Sequence, residues 1–107
     1  MPNFILAYHS NGNMPKSPEE GAAHMERYKA WIDGIGDALV NPGTPLRDSK
    51  TVSADGVEDG GGPNPVMGFT EIIADDIDAA VAVAQASPFL EMGTIEVAEI
   101  VTMPQGG

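Results

Sequence analysis

Two histidines stand where an imidazole could do chemistry. His24 lies inside the one long segment with a strongly helical pattern, residues 16–36, KSPEEGAAHMERYKAWIDGIG. Advancing each residue by about 100° gathers Met25, Tyr28, Trp31, Ile32 and Ile35 on one side and turns Glu19, Glu26, Lys29 and Asp33 away. His24 falls within that apolar arc, flanked by Tyr28 and Ile35 and two turns before Trp31. An unpartnered polar group buried there costs about 1–3 kcal/mol. The position therefore implies either a core histidine with satisfied nitrogens or a general base at the edge of a pocket, a role suited to a ring that titrates near neutral pH. His9, with Tyr8 before it, stands at the exit of an apolar run, where it is either half exposed or part of a site.

Other groupings that could suggest chemistry read as structure. The chain has no cysteine, which excludes a disulfide framework and a thiolate metal site. The glycine-rich stretch 54–65, ADGVEDGGGPNP, lacks the G-x-x-x-x-G-K-[ST] pattern and leads into no helix, so it offers no phosphate cradle. Asp55, Glu58 and Asp59 do not have calcium-loop spacing, and the stretch reads as a flexible connector. Asp75, Asp76 and Asp78 precede an apolar helical pattern, so they are expected to cap that helix and offset its dipole rather than hold a metal. Glu71, Glu96 and Glu99 alternate along strands as solvated or rim positions.

The elements that position these residues follow in order. Residues 4–9, FILAYH, read as a buried strand closed by Ser10-Asn11-Gly12-Asn13. Ser17, Pro18, Glu19 and Glu20 start the long helix, and Gly34 and Gly36 end it. Residues 37–40 form a short strand before the turn at 41–45, and Thr51-Val52-Ser53 is one arm of an irregular hairpin. Residues 66–74, VMGFTEIIA, give the strongest strand, with Met67, Phe69, Glu71 and Ile73 on one face and Gly68, Thr70, Ile72 and Ala74 on the other. A second helix places Ile77, Ala80, Val81 and Ala84 on one face and stops before Pro88. After a turn at 89–93, residues 94–101 alternate as a last strand, and 102–107 form a loose tail.

A chain of 107 residues makes a single domain, 1–107, with one modest core. Five Lys and Arg against 16 Asp and Glu give a net charge of −11, a field that repels nucleic acid and anionic membranes. The N-terminus lacks a basic region and its apolar run is too short to span a bilayer, so a cytoplasmic location is expected. The element order is strand, helix, strand, a hairpin-like arm, strand, helix, strand. This is the split β-α-β pattern of an α+β, ferredoxin-like sheet with both helices on one face. The strands are partly apolar on both faces while two helices cover only one, so a homodimer pairing the open faces is expected.

From about Phe4 to Ile100 the chain resembles the YCII-related proteins of the DGPF group. The resemblance is carried by Trp31-Ile32-Asp33, Pro45-Leu46 before Thr51-Val52, Gly68-Phe69, the Asp-Ala-Ala-Val helix from Asp78, and Gly93-Thr94-Ile95-Glu96-Val97. It implies a dimeric α+β barrel of ferredoxin-like subunits. It also implies a histidine–aspartate pair, in which His24 takes the first position and Ser87, before Pro88, the second; serine cannot supply the negative charge that steadies an imidazolium. The tetrapeptide itself is altered, Asp59-Gly60 being followed by Gly61-Gly62-Pro63. Some relatives are lyases or isomerases that shuttle a proton on a ring substrate without a cofactor. On that model His24 accepts the proton, Ser87 hydrogen-bonds to it, and Tyr8, His9, Tyr28 and Trp31 line the pocket. The alternative is a non-catalytic module that binds a small molecule or a protein, and the group's link to transcription suggests one kind of protein partner. Neither reading requires a metal or a cofactor.

Overall fold

The structure is a computed structural model that describes residues 1–10, 16–46, 48–60, 62 and 65–101. Strand β1 (Asn3–Ser10) leads to helix α1 (Pro18–Ile35), followed by β2 (Leu39–Asn41), β3 (Lys50–Ser53), β4 (Gly56–Asp59), β5 (Val66–Ile73), α2 (Ile77–Gln85) and β6 (Gly93–Ile100). Two 3-10 turns, Gly36–Ala38 and Pro88–Glu91, follow α1 and precede β6. The result is a mixed α+β fold with two helices and antiparallel sheets. One sheet has the order β2-β5-β1-β6, and β3-β4 form a separate two-stranded hairpin.

Strand alternation sets the core. Phe4, Leu6 and Tyr8 of β1 share a face with Thr70 and Ile72 of β5, through the pairs Phe4↔Ile72, Leu6↔Thr70 and Tyr8↔Gly68. Val97 and Ile95 of β6 join that face opposite Leu6 and Tyr8. Ala80 and Ala84 of α2 pack on it with Trp31 and Ile35 of α1, so both helices cover the same side. Alanine lets α2 lie close, and Ala80 is fully buried. The expected division of β5 into two faces holds, with Gly68, Thr70 and Ile72 buried and the alternate residues half-buried.

Ser17 caps α1 by accepting from the Glu20 amide at 3.1 Å, while the Glu20 carboxylate accepts from the Lys16 amide at 2.8 Å. Reciprocal capping of this kind satisfies orphan donors at the first turn. Gly36, at φ 64°, closes the helix in a conformation open to glycine. The buried strip is narrower than the predicted arc. His24 is the one residue of α1 that counts as buried, Tyr28, Trp31, Ile32 and Ile35 are half-buried, and Met25 is 49% exposed. The helix rests on the sheet along positions 24, 28, 31 and 35, and Met25 turns beyond that line. Trp31 Nε1 donates to the Val83 carbonyl at 3.0 Å and ties the helices together. In α2, Asp76 accepts from the Ala79 amide at 2.9 Å, the expected capping role, whereas Ile77 is 47% exposed rather than packed.

Two expectations are corrected. Residues 37 and 38 belong to the turn Gly36–Ala38, and the strand runs Leu39–Asn41. The connector 54–65 contains β4, which pairs with β3 in the register Lys50↔Asp59, Thr51↔Glu58, Val52↔Val57 and Ser53↔Gly56. Cross-strand pairing outweighs the local glycine content. The expected turn after the second helix holds as the 3-10 turn Pro88–Glu91, and the expected last strand follows as Gly93–Ile100. The expected loop at 11–13 and tail at 102–107 lie outside the described residues. No helix among the described residues is long and apolar enough to cross a membrane.

Candidate active site

His24 is buried under the first half of α1, with only 9% of the residue exposed. Its Nδ1 lies 3.8 Å from Oε2 of Glu91, an ion-pair contact too long for a hydrogen bond. The other oxygen of the same carboxylate accepts from Arg27 Nη1 at 2.7 Å. Glu91 ends the turn Pro88–Glu91, and Arg27 stands three residues after His24 on α1, so a helix face and a turn meet at one carboxylate. That hydrogen bond to Arg27, more than the charge of the guanidinium or of His24, holds the Glu91 carboxyl below the usual carboxylate range. Arg27 is correspondingly raised by the same hydrogen bond.

On the same helix-covered side of the sheet lies a group of hydroxyls. Tyr8 Oη and Thr70 Oγ1 are 2.5 Å apart, and both residues are buried. Tyr28 Oη donates to Tyr8 Oη at 3.3 Å and lies 3.4 Å from Thr70 Oγ1. Thr70 Oγ1 donates to the Pro42 carbonyl at 3.1 Å. Burial pushes the Tyr8 phenol far above its ordinary range, so it stays protonated. Rings fix the geometry: Tyr8 meets Phe89 at a centroid distance of 4.9 Å and Tyr28 edge-on at 6.2 Å, and Tyr28 meets Trp31 at 5.6 Å.

Of the residues singled out in the sequence, His24, Tyr8, Tyr28 and Trp31 lie on the helix side of the sheet. Ser87 is buried on that side too, but its Oγ accepts from the Phe89 amide at 3.2 Å and caps the 3-10 turn. A hydrogen bond from His24 to Ser87 is not formed, because the cap directs the hydroxyl to its own turn. His9 is placed by strand alternation on the opposite face, where Nε2 lies 3.2 Å from Glu96 Oε1. It therefore does not line the same site as Tyr8. Glu91 and Arg27 were not found from the sequence; the proximity of Arg27 to His24 is helical and readable, but the contact with Glu91 closes 64 residues of chain.

Among the described residues no three His, Asp or Glu side chains converge as a metal site would require. A cavity of about 610 Å³ lies elsewhere, at the base of the β3-β4 hairpin, with Asp48, Lys50, Asp59, Pro65 and Met67 in its lining. Comparison with known proteins finds no matching family model and no matching curated protein.

Proposed function

We propose that this chain is a lyase or isomerase that moves a proton on a small molecule without a cofactor, with His24 as proton acceptor. The observation that carries the reading is the carboxylate of Glu91 at 3.8 Å from His24 Nδ1. That carboxylate lies on the Nδ1 edge of the ring, which leaves Nε2 as the atom that would meet a substrate proton. Glu91 then does what the resemblance to YCII-related proteins assigns to an aspartate at position 87. Burial of the imidazole shields it from bulk water, and Arg27 keeps the carboxylate ionised. The same reading takes the strand order β2-β5-β1-β6 as a ferredoxin-like subunit whose open face pairs with a second copy.

The test is a screen of small aromatic acids and lactones for isomerisation, elimination or solvent-deuterium uptake. His24→Asn should lower the rate of any turnover found by roughly 100-fold or more, with Glu91→Gln causing a smaller loss. Turnover that survives His24→Asn within a few fold would remove the histidine from the mechanism. The second reading, a binding or interaction module, is favoured by the commitment of Ser87 to its own turn. It expects ligand affinity in His24→Asn to stay within a few fold of the parent.

A further inference from the structure

The four strands of the main sheet, β1, β2, β5 and β6, contain no lysine or arginine. Two carboxylates nevertheless stand on the side of that sheet which the helices leave open. Glu71 is opposite Ile5 and Glu96 opposite Ala7, so alternation sets both among Ile5, Ala7, Phe69 and Ala98. Each is met from one end of β1. Asn3 Nδ2 donates to Glu71 Oε2 at 2.7 Å, and His9 Nε2 lies 3.2 Å from Glu96 Oε1. Both carboxylates are thus answered within one copy, and the face requires no cation from what covers it. A second identical face, whose strands have no lysine or arginine to give, meets that condition.

The two ends of β1 differ in one respect. An amide donates in the same way at every pH, whereas an imidazole ordinarily changes charge between about pH 5 and 8. The His9 side chain is 13% exposed and the Glu96 side chain beside it 69% exposed. Across from His9, β5 brings Val66 and β6 brings Thr94, neither of which titrates. Glu96 is the charged group that faces the ring from these strands, while Glu71 is held by Asn3. In a single copy water solvates the Glu96 carboxylate, and a neutral ring suffices beside it. A second copy that displaces this water leaves the charge uncancelled next to a neutral ring and cancelled next to an imidazolium. We propose that His9 makes the pairing of two copies sensitive to pH, with the protonated ring against Glu96 as the form that a second copy covers. The inference rests on the proposed pairing of open faces and is independent of any chemistry at His24. A ring whose protonated form is favoured in the pair adds affinity at low pH and gives it up as pH rises through its titration.

The test is the dimer dissociation constant of the whole chain, from sedimentation equilibrium at about pH 6 and about pH 8 and one fixed ionic strength. The parent should dimerise roughly ten-fold more tightly at the lower pH, about three-fold for each of the two imidazoles, the size of a modest ion pair. His9→Gln keeps a donor for Glu96 without the charge, and should bring that ratio close to one. Glu96→Gln should tighten the dimer at the higher pH and reverse the dependence, because the protonated ring is then covered without its counter-charge. That exposed position also supplies the test if His9→Gln does not fold. Equal constants at both pH values in a parent that dimerises, or a full dependence retained in His9→Gln, would overturn the proposal and leave the pairing of faces standing. A chain that stays monomeric at both pH values would overturn the pairing and this inference together.

Discussion

A Cβ at position 93 would lie 2.0 Å from the carbonyl oxygen of His9 and 2.9 Å from Phe89 Cε2. The backbone of β1 cannot move away without breaking its pairing with β6, so Gly93→Ala should destabilise the protein by about 3 kcal/mol. A urea midpoint unchanged from the parent would contradict the Ser10↔Gly93 register. A second residue-level prediction concerns Glu91. Its folded carboxyl is depressed, chiefly by the Arg27 hydrogen bond, so its contribution is present above the unfolded carboxylate value of about 4.3. It is lost as pH falls through the lower folded value. The stability difference between the parent and Glu91→Gln should therefore be small at pH 7, because the pair is exposed, and should vanish in strong acid. An equal difference in thermal midpoint at both pH values would contradict the linkage. Residues differ in how legible they are in sequence. The burial of His24 follows from its angle on a helix, whereas its carboxylate partner depends on chain closure that no local pattern encodes. Tyr8 and His9 are adjacent, and period-two alternation separates them to opposite faces, so both could not have lined one site.

The helices were the most legible elements, since their caps and stops are written in local residue types. Asp76 caps α2 from its side chain, and Asp76→Ala should cost about 1 kcal/mol. Asp75→Ala, outside the cap, should change stability much less. Equal losses from the two would mean that the aspartates act through their general charge near the helix dipole rather than through the cap. The face of α1 was harder to read, because a 100° projection does not tell how deeply a helix settles on its sheet, and Met25 lies just past the contact line. The hairpin was the least legible. Gly56-Val57-Glu58-Asp59 lies in glycine-rich sequence, and its strand exists because Val52 faces Val57, Lys50 Nζ meets Asp59 Oδ1 at 2.6 Å, and Thr51 Oγ1 donates to the Gly60 carbonyl at 2.8 Å. Those are cross-strand contacts, and an isolated hairpin of this size is marginal in water. Val52→Thr should accordingly leave global stability within about 0.5 kcal/mol, as expected of an arm outside the core.

Across the whole molecule, the two helices cover only one side of the four-stranded sheet. The other side carries Ile5, Ala7, Phe69, Ile73 and Ala98, half-buried in a single copy, with Ile100 at its margin. Two polar pairs are set among them: Asn3 Nδ2 donates to Glu71 Oε2 at 2.7 Å, and His9 meets Glu96. The proposed two-fold pairing would bury this surface, and it must do so against a net charge of −11 on each copy. Repulsion between like-charged copies is screened as ionic strength rises, while apolar burial is not weakened by salt. The dimer should therefore tighten between 0.02 and 0.5 M sodium chloride, values spanning Debye lengths from roughly 20 Å to about 4 Å. Phe69→Asp should give a monomer at both salt concentrations with its secondary structure intact, since that side chain lies outside the helix-covered core. Sedimentation velocity at micromolar protein separates the outcomes. A parent chain that sediments as a monomer at both concentrations would mean that the open face is not an interface between copies. Dimers that weaken with salt would place charge pairs, rather than the apolar strip, at the contact.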